Sequence, residues 1–165
     1  MMPDVMKIEF ESIGTIHTPF SEPSGMPIQP AGGRDIRGTV ELYPEFADGT
    51  ADLDGFSHII LLYHLHRSTD YSLKVVPFLD TCEHGLFSTR APRRPNPIGL
   101  SIVRLEKVDG ATLFISGVDI IDGTPLLDIK PYVPQFDAYP DASRGWLEKS
   151  RKAVAEKRSD TRFIN

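Results

Sequence analysis

The sequence predicts a mainly β protein, an antiparallel barrel or sandwich, and three observations carry that prediction. Apolar and polar residues alternate with period two through run after run, as they do where successive side chains face opposite sides of a strand. An Asp109-Gly110 pair separates two of these runs and supplies the positive φ angles of a tight hairpin. No long amphipathic helix is written before residue 143.

The elements follow in chain order. Ile8, Phe10 and Ser12, then Ile13 and Thr15, predict a strand over 7–16, and the alternation of Ile36–Tyr43 predicts a second. Residues 56–64 are nearly all apolar and are expected to be a strand buried on both faces. Further strands are expected near 85–89, 98–108, 111–121 and 126–133. Asp141-Ala142-Ser143 precedes Trp146, Leu147 and Val154 at helical spacing, which predicts one short C-terminal helix. Residues 19–37 hold four prolines and three glycines, so they form an irregular loop, and a loop that long is more often functional than idle.

A chain of 165 residues with 40% hydrophobic content fits one compact domain. We divide it into a barrel over 1–140 and a basic, helical tail over 141–165. The single cysteine, Cys82, rules out an internal disulfide framework and a Cys-only zinc site. The first residues lack the basic-then-apolar order of a signal peptide. The longest uncharged apolar run, about eight residues around Ile59–Leu65, is far below the ~20 a membrane helix needs. A cytoplasmic protein with no membrane contact is expected. The net charge of −5 is uneven: residues 144–162 carry +4 and the rest of the chain −9. Local phosphate contacts are compatible with that split, and so is ordinary solvated charge.

Dinucleotide-binding, phosphate-loop, nucleophile-elbow and His-Glu-x-x-His motifs are all missing from the sequence, which argues against those enzyme classes. His58, His64 and His66 share a strand parity and could begin a metal site of a cupin-type enzyme, with Cys82, Glu83 or His84 as a third ligand. The plainer reading is a hydrogen-bonded His58 and a His66 that lines a pocket without metal. Nothing in the sequence fixes the third ligand, so no metal is assigned.

Two stretches carry the densest chemistry. Gly85–Ser101 contains Arg90, Arg93 and Arg94 among Pro92, Pro95 and Pro97. Prolines fix φ and bar helix, so this is a stiff extended loop that can aim guanidinium groups at phosphate or carboxylate. Val118–Tyr132 holds an Asp-Gly-Thr-Pro turn, with Asp119 and Asp128 among apolar neighbours. Ionised carboxylates in such company need partners, and the loop arginines are the natural candidates.

Together with Ile13–Pro19, Pro27–Pro30 and Phe56–Ile59, these stretches resemble the TsaA-like (YaeB, TrmO) family, in order from about residue 7 to 135. The resemblance implies a small antiparallel β-barrel that methylates the N6 of threonylcarbamoyladenosine beside the anticodon of tRNA. The methyl donor is S-adenosyl-L-methionine, and the expected assembly is a homodimer with the cofactor near the subunit interface. Matched onto this chain, the cofactor residues are Ile28, Gln29, Pro30, His66, Arg67, Arg90, Leu100, Asp122, Gly123, Thr124 and Pro125. Arg93, Arg94, Asn96, Lys130 and Tyr132 are assigned to the tRNA substrate. Longer bacterial members continue into a separate C-terminal domain, whereas this chain stops about 30 residues after Tyr132.

Methyl transfer from a sulfonium is an in-line displacement, so positioning and electrostatics are the protein's work. Arg90 is expected at a carboxylate, either of the cofactor or of the acceptor's threonyl group, away from the cationic sulfur. The acceptor nitrogen must lose a proton, and His66 and Asp122 are the two bases considered. A non-catalytic RNA-binding barrel using Arg93, Arg94 and the basic tail is the remaining alternative. No exposed aromatics interleaved with those arginines are expected, which weighs against it.

Overall fold

The computed structural model describes residues 3–23, 26 and 35–150. Six strands close an antiparallel barrel: β1 (Gly14–His17), β2 (Arg37–Leu42), β3 (His58–His64), β6 (Ile98–Asp109), β7 (Thr112–Ser116) and β8 (Thr124–Pro131). Their order around the barrel is β1-β2-β7-β6-β3-β8, and β8 returns to pair with β1. A separate ladder joins β4 (Lys74–Val75) to β5 (His84–Gly85). One short helix, α1 (Pro134–Asp137), follows the barrel. The mainly β, antiparallel barrel expectation therefore holds.

Alternation explains the wall. Along β6, Ser101, Val103 and Leu105 point inward while Leu100 and Ile102 point out. Ile16, Val40, Ile59, Leu61, Leu113, Ile115 and Leu126 fill the interior with them. β3 departs from its expected double burial: Ile59, Leu61 and Tyr63 are buried, but Ile60 and Leu62 are only partly so and His64 is exposed. A closed barrel has one interior, so its wall can bury only one face of a strand.

Other boundaries shift for local reasons. Only the end of the expected 7–16 strand pairs; Val5, Met6, Ile8 and Phe10 stay exposed. In place of a strand over 85–89, residues Leu86–Ser88 coil into a 3-10 turn. Ser88 Oγ donates to Gly85 O and Thr89 Oγ1 to Leu86 O, so short polar side chains take carbonyls that a ladder would have used. β7 stops at Ser116, where the Gly117 amide turns to donate to Ile36 O. The hairpin at Asp109-Gly110 forms as expected, with Gly110 at φ +60°. At the C-terminus Gly145–Ser150 is a 3-10 turn, not an α-helix, and residues 151–165 of the expected tail lie outside the described residues.

Register sorts the wall into two ends. His64 pairs with Ile98, Tyr63 with Leu126, Ile16 with Thr124, His17 with Thr39, and Arg37 with Ser116. The end of β3, the start of β6 and the start of β8 therefore meet at one mouth. His58, Asp109, Thr112 and Pro131 belong to the opposite end.

Candidate active site

At that mouth the Asp122–Pro125 turn is stitched to the segment after β1. Asp122 N donates to Phe20 O (2.7 Å) and Gly123 N to Ile16 O (2.9 Å). Thr18 donates from its amide to Asp122 Oδ1 (3.1 Å) and from Oγ1 to Ile120 O (2.6 Å). His17 sits between two carboxylates, Nδ1 at 3.4 Å from Asp122 and Nε2 at 3.2 Å from Glu41. Sequence reasoning gave His17 and Thr18 no role. Their only signal was membership of the Ile13–Pro19 stretch, whose partners lie about a hundred residues away.

The arginines of the proline loop are held by local partners that differ from those expected. Arg94 Nη1 donates to Thr89 O (3.0 Å) and Ala91 O (3.1 Å), and its guanidinium lies over the Phe87 ring at 5.8 Å. Arg93 donates to Asp70 through Nε (2.7 Å) and also through Nη2. Asp128 pairs with Lys130 at 2.8 Å, so it takes neither of those arginines as partner. Arg90 alone matches the expectation for Asp119, being exposed and close enough to act on its carboxyl electrostatically. Phe87 is 75% exposed, so an aromatic does stand among the arginines. Its place three residues before Arg90 was the available signal.

Below the mouth runs a buried polar chain. Ser101, 1% exposed, donates from Oγ to Asp119 Oδ1 (2.6 Å). A hydroxyl has one proton, so Tyr63 Oη must be the donor in its 2.8 Å bond to Ser101 Oγ. Burial, and then the Asp119 charge, pushes the Tyr63 phenol well above its ordinary range, so it stays a neutral donor. Burial also pushes the Asp119 carboxyl up to about 6, while Ser101, its own backbone amide and Arg90 pull the other way. Gly99 makes room for this arrangement: a Cβ there would lie 2.1 Å from Tyr63 Cε2.

Of the other sequence candidates, His66 and Arg67 occupy the turn after β3, at the same mouth. Arg67 Nη1 reaches Ser21 O at 3.5 Å. Partial burial, then Arg67 and His64, lowers the His66 pKa and keeps its ring neutral. Leu100 points outward from β6 and is half-exposed. Asn96, exposed, accepts the Ile98 amide at 2.8 Å. Ile28, Gln29 and Pro30 lie outside the described residues. Lys130 and Tyr132 are not gathered here, because β8 carries them toward the opposite end, where the Tyr132 ring meets His58 edge-on at 6.3 Å. His58 and His64 likewise close opposite ends of β3, roughly 20 Å apart at about 3.4 Å per residue. Among the described residues, no three His, Cys, Asp or Glu side chains come together where they could hold a metal ion.

Trp146 fastens the start of the basic segment beside the loop. Its Nε1 donates to Ser88 O (2.8 Å) and its ring stacks on His84 at 4.6 Å. His84 in turn bonds Asp80 at 2.7 Å, and that bond, with the Thr81 and Cys82 amides, holds the Asp80 carboxyl below its usual range.

The fold and this mouth define a β-barrel protein with His17, His66, Arg67 and Asp122 at one end, the position at which barrels commonly hold a small ligand. Residues 15–138 match the family model described as tRNA-methyltransferase O N-terminal domain, and the chain belongs to that family. It is 52% identical over 160 residues to a Pyrococcus abyssi protein named "Probable S-adenosyl-L-methionine-binding protein", covering 97% of this chain and 87% of that one. To the Escherichia coli K12 tRNA (adenine(37)-N6)-methyltransferase it is 35% identical, covering 88% of this chain and 66% of that protein. The crystal structure of TrmO from Pseudomonas aeruginosa superposes with a TM-score of 0.73 at 40% identity, covering 86% of this chain and 63% of that one. The chain thus spans about two thirds of those last two proteins. Among the described residues, no helix is long and apolar enough to cross a membrane.

Proposed function

We propose that this chain is an S-adenosyl-L-methionine-dependent tRNA methyltransferase, and that its acceptor is the N6 of threonylcarbamoyladenosine beside the anticodon. The observation that carries the reading is the convergence at one mouth of Arg90, the His66–Arg67 turn and the Asp122–Pro125 turn, inside a chain of the tRNA-methyltransferase O family. We read residues 1–140 as the barrel, 141–165 as an appended basic segment, and the working form as a cytoplasmic homodimer. Neither the metal-dependent nor the non-catalytic reading is favoured by any observation at this mouth.

The residues fit the cofactor's chemistry. Arg90 offers a cation to a carboxylate, and Asp122 offers negative charge to an ammonium or sulfonium. When bound, the cofactor supplies an electrophilic methyl group whose bonding pair stays with sulfur. The chain's own work is to hold the ends of the ligand and to hold the turn rigid through Thr18 and His17. Calorimetric titration is expected to show S-adenosyl-L-methionine binding that weakens roughly ten- to a hundredfold in Arg90→Ala and in Asp122→Ala, since a lost charge-assisted bond costs ~1.5–3 kcal/mol. Unchanged affinity in both variants would remove them from the site.

For the RNA, Arg93 and Arg94 on the loop and Arg144 and Lys149 around the docked Trp146 supply positive charge, and Phe87 offers a ring on which an unpaired base stacks. Arg93→Ala with Arg94→Ala is expected to weaken tRNA binding. Each phosphate left without its arginine should lower the slope of log affinity against log salt by about 0.7–0.9. A lower melting temperature with an unaltered slope would make both arginines structural only. Mass spectrometry of tRNA nucleosides after incubation with the protein tests the acceptor: methylated threonylcarbamoyladenosine is expected, and methyl on unmodified adenosine would correct it.

A further inference from the structure

We propose that Asp119 is the catalytic residue that takes the proton from the acceptor nitrogen, with Ser101 and Tyr63 as positioning residues that fix its carboxylate. The assignment rests on the methyltransferase reading above. As the nitrogen gains its methyl group, the N–H bond breaks, its electron pair stays on nitrogen, and the proton passes to Asp119 Oδ2 and then to water.

Geometry singles out Asp119 from the other bases at the mouth. Its Oδ1 is held at 2.6 Å by Ser101, which is held at 2.8 Å by Tyr63, whose ring is pinned against the Gly99 backbone. That chain reaches from the barrel interior to Asp119, a residue that is itself only partly buried, so its carboxyl is held in place without the residue being sealed off from solvent. Ser101 adjoins Leu100, Asp119 precedes the Asp122 turn by three residues, and Arg90 faces the carboxyl from the proline loop. The titratable or charged groups facing it are therefore Tyr63 from β3 and Arg90 from the loop; β6 contributes the neutral Ser101. Asp122, by contrast, is committed to Thr18 and His17. His66 would become an imidazolium beside Arg67, which opposes proton uptake. With its carboxyl pushed up to about 6, Asp119 is ionised at neutral pH yet basic enough to accept a proton.

Asp119→Asn and Ser101→Ala test this in the full chain. S-adenosyl-L-methionine affinity is expected to stay within about threefold in both. Single-turnover methylation of tRNA by Asp119→Asn should fall at least ~100-fold, the usual range for a lost general base. The wild-type rate should rise with pH along a limb with its midpoint at about 6, and Ser101→Ala should move that limb upward, because it removes a donor to the ionised form. A carbon-NMR titration of the Asp119 carboxyl in the cofactor-free protein should show the same midpoint and the same upward move. An Asp119→Asn enzyme that keeps a third or more of the rate, or a limb that Ser101→Ala leaves in place, would overturn the assignment while the enzyme reading stands. A wild-type protein that neither binds the cofactor nor methylates tRNA would overturn both.

Discussion

Ile16→Ala is expected to cost about 2–5 kcal/mol of folding stability, the range for emptying a fully buried large aliphatic side chain. Its effect reaches beyond its volume because of where it sits. β1 has only four residues, yet it is the strip that joins β2 to β8 and so closes the barrel. Ile16 pairs with Val40 on one side and Thr124 on the other, and its carbonyl accepts the Gly123 amide at 2.9 Å. A cavity under that seam loosens the Asp122–Pro125 turn together with the core. Denaturant titration should show a lower midpoint with an unchanged slope, and cofactor affinity should fall in the same variant at temperatures where it is still folded. A loss below about 1 kcal/mol would mean that the seam is held by its ladder bonds alone.

The short β1 also shows which parts of this fold are legible in a sequence. Period two, and for β3 a nearly unbroken apolar run, located the strands of the barrel, because both are imposed by burial and need no knowledge of the partner. It could not say where pairing begins. Ile8 and Phe10 alternate as well as Ile13 and Thr15 do, yet pairing waits for Gly14, whose backbone lies so close to Glu41 that a Cβ would stand 2.4 Å from its carbonyl oxygen. That close approach belongs to two strands at once, and no local pattern carries it.

The site follows the same division. Composition alone showed the 85–101 stretch to be proline-rich and cationic. Which acid each arginine meets depends on the closed barrel, so Asp70 went unnoticed and Asp128 was given the wrong partner. Adjacency misled in the opposite direction for Lys130 and Tyr132. They follow the Asp122 turn closely in sequence, but an eight-residue strand spans roughly 24 Å, so residues at its two ends serve different ends of the barrel. The Tyr63–Ser101–Asp119 chain was invisible for a related reason: Asp119 stood out as a carboxylate in need of a partner, but Tyr63 and Ser101 come from β3 and β6 and look like ordinary strand residues in their own stretches.

Asp119→Asn should be more stable than the wild type at pH 7.5, by about 1–3 kcal/mol. In the folded chain the carboxyl titrates at about 6, against an ordinary value of 3.8, so the native state binds this proton more tightly than the unfolded chain does. Between about pH 4 and pH 6 folding then takes up a proton, and stability falls as pH rises. Above about 6 the penalty is fully present, and below about 4 it is gone. At about 1.4 kcal/mol per pH unit, the gap sets the upper end of the range, and solvent beside this partly exposed residue lowers it. An asparagine oxygen still accepts the Ser101 proton, so the substitution removes the charge and keeps the bond. Melting curves of both proteins from pH 4 to 8 should converge at the acid end and separate toward neutral pH, by roughly 2–4 °C for each kcal/mol. Equal melting temperatures at pH 7.5 would mean that Arg90 and Ser101 fully offset the burial of the charge. A separation would instead show a carboxylate kept at the barrel's mouth at a cost to folding, as a group retained for its chemistry would be.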